Sequence, residues 1–545
     1  MKKIISCILA ALMSLSLVAC GSGSKETETA ETEDKVMYSN GGPIEFFETP
    51  WLNPGAYTYN KVLYDHLIES DENLNPSHGE LAKEYTLSED GTELIFVLRD
   101  DIYWHDGEKI TPEDIKWSIE YSMNTAVINS VFLSTFQAIK GSEAYLAGEA
   151  DGLEGIVIDG NTITITFDKV APDALLTFTQ FAPLPQKYFE DVDPLMIQQA
   201  DYFQSPVGSG PFKVEEVKLN DYTTLVPFDK YYDGVASFTI HLTPSPGDSD
   251  ANLVNNVNSG LLDYGYTKSV ADVKALKDAA NVKLTQIDVR YTRLFYVNKF
   301  DKPDGTKSPL ADYRVRQAIR YAIDMETIGA NLFDGTIVPA NSLTPNGSDK
   351  VDGLNEYEYN PEKAKELLAE ANWDANYEID VVYYYTDQTT VDLMTSIQAY
   401  LKDVGIKMNF RLVEGDLATI LWSAPEDQTN GPSAVDWDMC YAANAALSMH
   451  EYYDRYRTGS PTNSHTPEDE KLNALIDATN ASMDSEVQKQ AYYELQKYEN
   501  ETLFEIPLYY QPIYLIESTR LETGLEAYGN PQFNYDWNVQ DWVIN

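Results

Sequence analysis

Residues 80–115 read ELAKEYTLSEDGTELIFVLRDDIYWHDGEKITPEDI and carry the strongest fold signals of the chain. The Ser-Glu-Asp-Gly segment at 88–91 is a turn signal, and the apolar run Leu94–Leu98 after it predicts a buried strand. Thr111 is placed as the N-cap of a helix, with proline at the first helical position and Asp114 as the acid of a capping box. The stretch therefore predicts a turn, a buried strand and a capped helix.

The same stretch resembles the signature of the large extracellular solute-binding proteins that serve ABC importers of peptides, nickel chelates and some oligosaccharides. That family's pattern runs L-A-x-x-W-x-x-S-x-D-G-x-x-x-x-F-x-L-R-x-x-x-x-F-H-D-G-x-x-x-T-A-x-D-V. Tyr85 and Tyr103–Trp104 stand at its aromatic positions here. Because the match is long and its spacing is fixed, we identify the chain as a member of this family. We expect the stretch itself to be scaffold that does not contact the ligand.

Further segments extend the resemblance over essentially the whole chain after the N-terminal region. They follow the family's order and are Ser205–Val214, Asp229–Gly234, Gly260–Asp263, Asp312–Asp324, Tyr359–Leu368 and Leu401–Ile406. The fourth of them, DYRVRQAIRYAID, is similar to the family's D-x-R-V-R-Q-A-I-x-Y-A-I-D almost letter for letter.

Periodicity in the sequence predicts a mixed α/β and α+β protein. Thr162–Phe167 alternates apolar and polar residues as a strand with one polar face does. Asn360 opens a predicted helix, and a second helical stripe begins at Val315. We expect these stripes to be core.

The resemblance implies a two-lobed, periplasmic-binding-protein-like fold with a hinge and an additional inserted domain. The strands near 290–298 and 507–516 would cross between the lobes, and ligand would close them. The implied parts are a discontinuous lobe I (36–66, 204–290 and 512–545), an inserted domain II (67–203) and a lobe III (291–511).

The N-terminus predicts export and a lipid anchor. Two lysines precede an apolar stretch at 4–18, which is too short for an ordinary transmembrane helix and typical of a signal peptide at 1–19. The stretch ends in Leu-Val-Ala-Cys-Gly, which resembles the lipobox of bacterial lipoproteins, so Cys20 would carry the lipid. Residues 20–35 read as a flexible tether. An ordinary secretory signal with a coincidental cysteine is the alternative.

Composition excludes several functions. The chain has 87 acidic and 39 basic residues and a net charge of −48, which repels nucleic acid. Its cysteines are Cys7, Cys20 and Cys440; once the first is removed and the second acylated, neither an intramolecular disulfide nor a cysteine metal cluster can form. We expect no cofactor, no metal and no transmembrane segment after the signal. We expect a monomer whose partners are a ligand, an importer permease and the outer face of the cell membrane.

The ligand-binding candidates depart from the best-known peptide binders of the resembled family. In those proteins an Asp pairs with the peptide α-amine; the matching segment, 437–452, is here rich in Ala and offers Tyr441, Asn444 and His450. Some dipeptide binders hold the carboxylate with an Arg in the segment that matches 382–395. Tyr383, Tyr384 and Tyr385 occur there, and no Arg does. Longer peptides could still bind through backbone hydrogen bonds, as an added strand.

Aromatic residues leave an oligosaccharide ligand open. Tyrosine and tryptophan faces suit sugar rings, and their polar atoms can still hydrogen-bond. By order along the family pattern, Trp51 and Trp422 are placed nearest the cleft, although packing is the simpler role for each. The histidines are scattered, which disfavours nickel.

An extracellular hydrolase is the rival class. The chain has no G-x-S-x-G, no H-E-x-x-H and no GK[ST] loop, and carboxylate pairs are unavoidable among so many acids. A sensory role is a further possibility. The sequence therefore favours a lipoprotein that captures an oligopeptide and delivers it to an importer, and it does not favour an enzyme.

Overall fold

A computed structural model describes residues 35–244, 251–347, 349–482 and 484–545. The predicted signal peptide, Cys20 and nearly all of the predicted tether lie outside the described residues.

Helices and short strands alternate along the described chain. The strands are β1 (Val36–Gly42), β2 (Ile68–Ser70), β3 (Pro76–Gly79), β4 (Ala82–Leu87), β5 (Glu93–Leu98), β6 (Ile156–Asp159), β7 (Thr162–Thr166), β8 (Phe212–Lys218), β9 (Tyr222–Pro227), β10 (Thr239–Pro244), β11 (Tyr264–Thr267), β12 (Val282–Ile287), β13 (Tyr291–Val297), β14 (Val338–Pro339), β15 (Glu378–Tyr383), β16 (Lys407–Leu412), β17 (Met439–Ala445), β18 (Ile506–Tyr510), β19 (Ile513–Ser518), β20 (Leu521–Glu522) and β21 (Val543–Ile544). The α-helices are α1 (Thr58–Leu63), α2 (Pro112–Ser122), α3 (Ser130–Gln137), α4 (Ser142–Leu146), α5 (Ala174–Gln180), α6 (Leu253–Ser259), α7 (Val270–Leu276), α8 (Tyr313–Ala322), α9 (Met325–Leu332), α10 (Pro361–Glu370), α11 (Gln388–Asp403), α12 (Leu417–Trp422), α13 (Met449–Asp454), α14 (Glu470–Thr479) and α15 (Ser485–Thr502). Short 3-10 turns occur at Gln186–Tyr188, Pro194–Gln199, Asp201–Gln204, Pro309–Ala311 and Val539–Asp541.

The local signals of the opening stretch form as predicted. Thr111 caps α2: its hydroxyl accepts from the Asp114 N–H, and the Asp114 carboxylate accepts from the Thr111 N–H at 2.9 Å. Burying Ile115 and Ile119 then fixes one face of the helix against the core. Strand β5 alternates partly buried and buried residues, which accounts for its apolar run.

A seven-stranded sheet has the order β12-β19-β11-β1-β10-β9-β8. Strand β1 is interior to this sheet, and it pairs in parallel with both β10 and β11. A separate four-stranded antiparallel sheet has the order β4-β5-β7-β6. One hydrophobic core runs through both regions, because Met37 of β1 and Phe96 of β5 belong to the same buried cluster.

A six-stranded sheet has the order β14-β18-β13-β17-β15-β16 and a separate core on each face. Successive side chains of β13 point to opposite faces of this sheet: Phe295 packs into the core on one face, while Leu294 and Tyr296 pack into the core on the other. Two short connections, 288–290 and 511–512, lead from this sheet to the seven-stranded one.

These sheets support the predicted division into lobe I (36–66, 204–290 and 512–545), domain II (67–203) and lobe III (291–511), which we keep as a proposal and use as names below. Each large sheet draws its strands from one lobe, and the four-stranded sheet draws its strands from domain II. Among the described residues, none of the helices combines the length and the apolar character needed to cross a membrane.

Candidate ligand-binding site

Side chains from domain II and lobe III meet at a small polar cluster that we name the latch: Ser130, Asp173, Ser448, His450 and Glu451. The Ser448 hydroxyl, at the N-cap of α13, donates to the Asp173 carboxylate at 2.8 Å. His450 Nδ1 lies 3.3 Å from the same carboxylate, and the Ser130 hydroxyl donates to Glu451. The two parts of the chain are therefore in direct contact across their junction.

The charge state of His450 depends on this contact. Burial by itself lowers the pKa of His450, because it penalises the charged ring. The hydrogen bond to Asp173 and the negative charges of Asp173, Asp454 and Glu451 outweigh burial and leave the pKa above its ordinary value of 6.5. The latch is therefore held most strongly when His450 is protonated.

Polar cavities lie beside the latch and the first crossing. Arg290 bridges this region by pairing with Asp349 at 2.9 Å and by donating to the Leu447 carbonyl at 2.6 Å. A cavity of about 640 Å³ is lined by Asn75, Asp349, Lys350, Val351, Asp352, Met449, Glu486, Gln488, Lys489, Gln490, Tyr492 and Tyr493. A smaller one of about 100 Å³ is lined by Glu72, Asn73, Leu74, Asp288, Val289, Arg290, Asn346, Gly347, Asp349, Asn530 and Phe533. The larger cavity is lined by lobe III residues with Asn75 of domain II at its border, and the smaller one takes residues from lobe I, domain II and lobe III.

Tyrosines cluster at the end of β15 on the side of the hinge. The rings of Tyr384 and Tyr385 are in contact, with centroids 4.4 Å apart and planes tilted by 33°, and their hydroxyls share a hydrogen bond of 3.0 Å. Tyr385 also meets the Tyr441 ring edge-on at 5.7 Å, and the Tyr441 hydroxyl bonds that of Tyr509 at 2.6 Å. Burial raises the pKa of Tyr385 well above its ordinary value, so its hydroxyl stays protonated.

Arg293 of β13 stands among these rings. Its guanidinium carbon lies 4.1 Å from the centroid of Tyr385, 5.1 Å from that of Tyr291 and 5.8 Å from that of Tyr441. Its Nε donates to the side-chain oxygen of Gln511 at 3.1 Å. A cation on aromatic faces thus lies between the two crossings of the chain.

The other sequence-predicted residues take different positions. Trp51 is fully buried in the core that lobe I and domain II share, where its indole N–H donates to the Ala182 carbonyl at 2.7 Å. Tyr383 is 7% exposed and packs near Phe410. A ligand could reach Trp51 only if the surrounding core opened.

Trp422 and Asn444 also have packing contacts. Trp422 is partly buried and meets the Tyr296 ring edge-on at 4.9 Å. Asn444 is fully buried, and its amide donates to the Tyr452 carbonyl at 3.3 Å. The structure thus brings Tyr384, Tyr385 and Tyr441 together and places His450 in the latch, while Trp51, Tyr383, Trp422 and Asn444 lie in packed surroundings.

Sequence reasoning missed Arg293, Asp173 and Ser130. A search for arginine in residues 382–395 cannot find Arg293, because it comes from a strand about ninety residues earlier in the chain. One signal was available: in a strand that opens at the hinge, alternation puts Tyr291 and Arg293 on the same face. No sequence pattern marks Asp173 or Ser130, because their contacts depend on how domain II packs against lobe III.

A sequence model of the family "Bacterial extracellular solute-binding proteins, family 5 Middle" matches residues 77–466. The chain belongs to this family. It is 26% identical over 478 residues to the oligopeptide-binding protein AppA of Bacillus subtilis, covering 82% of this chain and 80% of that protein. It is 26% identical to a putative ABC transporter peptide-binding protein of Brucella ovis over 370 residues, which are 67% of this chain and 66% of that one.

The crystal structure of a putative peptide-binding protein AppA from Clostridium difficile has the same fold. It superposes with a TM-score of 0.75 at 20% sequence identity, covering 94% of this chain and 99% of that one. The mixed α/β, two-lobed solute-binding architecture predicted from the sequence is confirmed.

Proposed function

We propose that this protein captures an oligopeptide outside the cell and delivers it to the permease of an ABC importer by closing its two lobes. Membership of the solute-binding family and the peptide-binding functions of the two relatives named above support this proposal. The observation that carries it is the junction between the lobes, where Arg290 and the latch connect both sides around polar cavities. Such a protein binds and releases its ligand intact and is not an enzyme.

An oligosaccharide is the second candidate ligand. Tyr384 and Tyr385 lie side by side and are partly exposed, and aromatic faces suit sugar rings. Peptide remains the first choice because both relatives named above are peptide-binding proteins. The same screen distinguishes the two.

Thermal unfolding with ligand pools tests the proposal. A ligand that binds only the folded protein stabilises it by about 2.7 kcal/mol at a hundredfold excess over Kd. We expect a pool of random pentapeptides to raise Tm, and a pool of oligosaccharides of similar mass to leave it unchanged. Mass spectrometry should recover the bound peptides uncleaved. A rise with oligosaccharides alone would replace the peptide by a sugar, and cleaved products would point to a hydrolase.

We further propose that Cys20 anchors the protein to the outer face of the cell membrane. The lipobox-like sequence that ends the apolar stretch supports this, and two acyl chains on one cysteine are enough for stable attachment. The anchor would keep the binding lobes next to the permease. The protein would act there as a monomer, without a cofactor and without nucleic acid.

A further inference from the structure

The guanidinium of Arg293 has few polar partners for a group of its kind. It carries five N–H donors, and within the described residues its one side-chain hydrogen bond is to the neutral Gln511. Nη1 is buried without a hydrogen-bond partner. In the described parts of the chain no carboxylate lies within 4.0 Å, the distance of an ion pair, of Arg293. The positive charge is therefore surrounded by rings and left without a counter-ion.

Arg99 and Arg455 resemble Arg293, since in the described parts of the chain neither has a carboxylate within 4.0 Å: Arg99 Nε donates to the Glu80 carbonyl at 2.7 Å, and Arg455 Nη1 donates to the Tyr296 hydroxyl at 3.1 Å while its Nε is buried without a partner. The remaining arginines have charged or multiple partners. Five of them pair with carboxylates: Arg290, Arg314, Arg411, Arg457 and Arg520. Arg316 and Arg320 are buried, and each directs its donors to several backbone carbonyls. In a chain with 87 acidic and 39 basic residues, an acid beside Arg293 would be easy to supply. What distinguishes Arg293 from Arg99 and Arg455 is its position at the two crossings, where Nη2 is the guanidinium nitrogen that is neither bonded to Gln511 nor buried without a partner.

The polar side chains nearest to Arg293 already form hydrogen bonds with other residues. Asp387, the acid that follows the tyrosine run, caps α11 with both carboxylate oxygens on Thr390 at 2.9 Å. The hydroxyls of Tyr384 and Tyr385 bond each other, as do those of Tyr441 and Tyr509. Of these tyrosines, Tyr385 and Tyr441 contribute ring faces to the guanidinium, which stabilise its charge but do not satisfy its N–H groups.

Arg293 lies at the junction between the lobes, although it does not line either of the two cavities described above. It is partly exposed and lies three residues beyond the first crossing, and its partner Gln511 belongs to the second. Gln511 in turn donates to the Lys268 carbonyl of lobe I at 3.4 Å. The Lys268 ammonium lies 4.3 Å from the centroid of the Tyr291 ring, so two cations contact that ring. The Tyr291 ring thus connects Arg293 of lobe III with Lys268 of lobe I.

We propose that Arg293 binds a carboxylate of the captured ligand, and that this carboxylate is the free C-terminus of a peptide. This rests on the proposed peptide-binding function and narrows it. A guanidinium can receive a carboxylate through two parallel N–H donors, and the Tyr385 and Tyr441 rings flank this one. Because Nε is bonded to Gln511 and Nη1 is buried, the carboxylate would be received first by Nη2, and a second bond would require that Gln511 give up Nε. The arginine that is absent from the tyrosine run at 383–385 is supplied by the hinge strand.

Competition between matched peptide pools tests this assignment. The protein is incubated with an equimolar mixture of random pentapeptides made as free acids and as C-terminal amides, and native mass spectrometry measures which are retained. A hydrogen-bonded charge pair predicts enrichment of the acids by at least about tenfold. Arg293→Gln should retain acids and amides equally. Arg293→Lys keeps the charge but loses the planar guanidinium, so its enrichment of acids should lie between those of the wild type and Arg293→Gln.

The control is Arg457→Gln, which removes the same charge from a half-exposed pair with Asp477 and should keep the wild-type enrichment. A third pool, of amides with one internal Glu, identifies the source of the carboxylate: enrichment of this pool instead of the acids overturns the C-terminal assignment. Equal retention of acids and amides by the wild-type protein overturns the role of Arg293 and leaves peptide capture standing. Retention of no pool overturns both, and neither result depends on how the variants fold.

Discussion

At the scale of single residues, Asn444 is a buried amide and not an exposed ligand contact. Its side chain donates to the Tyr452 carbonyl, while its Oδ1 has no partner among the described residues. Asn444→Asp replaces the donor by a second oxygen and buries a charge without a counter-ion. We expect it to lower the free energy of unfolding by about 3 kcal/mol at neutral pH, measured by urea denaturation.

Asn409→Asp is the matched control, because Asn409 is exposed on β16 of the same sheet. It should change the free energy of unfolding by less than about 0.5 kcal/mol. Equal effects of the two substitutions would contradict the buried position of Asn444. A stable Asn444→Asp protein with tighter binding of free-amine peptides would instead support the role in α-amine recognition that the sequence suggested.

At the scale of elements, the latch makes the closed arrangement of α13 against domain II sensitive to pH. The pKa of His450 is raised in contact with Asp173, and separation of the lobes would return it toward 6.5. The contribution of the pair is therefore fully present below about pH 6.5 and is lost as pH rises through the raised value. A charge-assisted hydrogen bond of about 1.5 kcal/mol corresponds to about a tenfold change in the closed-to-open ratio.

Small-angle scattering can follow this change without ligand. The radius of gyration of the wild-type protein should increase between pH 6 and pH 9, and that of His450→Gln should stay constant. His78→Gln, at an exposed position away from the latch, should behave like wild type. Adding the pentapeptide pool at pH 9 should reduce the wild-type radius again. A radius independent of pH in the wild type would remove the latch from the closure equilibrium.

Signals confined to one element could be predicted from the sequence, and contacts between elements could not. The capping box of Thr111 and the helix that Asn360 opens form as expected, because both depend on residues three or four positions apart. Arg293 and Tyr385 meet only because β13 and β15 join one sheet, and Asp173 reaches His450 only because two parts of the chain close together. Trp51 shows the same limit, since its burial depends on residues near 121 and 181.

At the scale of the whole molecule, the negative charge of the protein disfavours membrane binding, whereas the proposed lipid on Cys20 favours it. A net charge of −48 gives the protein no attraction to anionic lipid headgroups, so membrane association depends on the proposed lipid on Cys20. Cys20→Ala should therefore move the protein from the membrane fraction to the soluble fraction, measured by immunoblotting of washed membranes. Cys440→Ala, which alters the buried free cysteine, should remain with the membranes. Membrane retention of Cys20→Ala would show that another feature holds the protein.

The interior position of β1 has a mechanical consequence. The proposed tether at 20–35 leads directly into this strand, which has ladder partners on both sides and runs parallel to each of them. The strand is fastened further by Arg520, which donates to the Val36 carbonyl at 2.6 Å, and by Asp263, which accepts from the Tyr38 N–H at 2.8 Å. A pull from the membrane along β1 would load these bonds in shear, all at the same time. Extracellular drag on the lobes would then be resisted by many bonds together and would not unzip the domain from its N-terminal end.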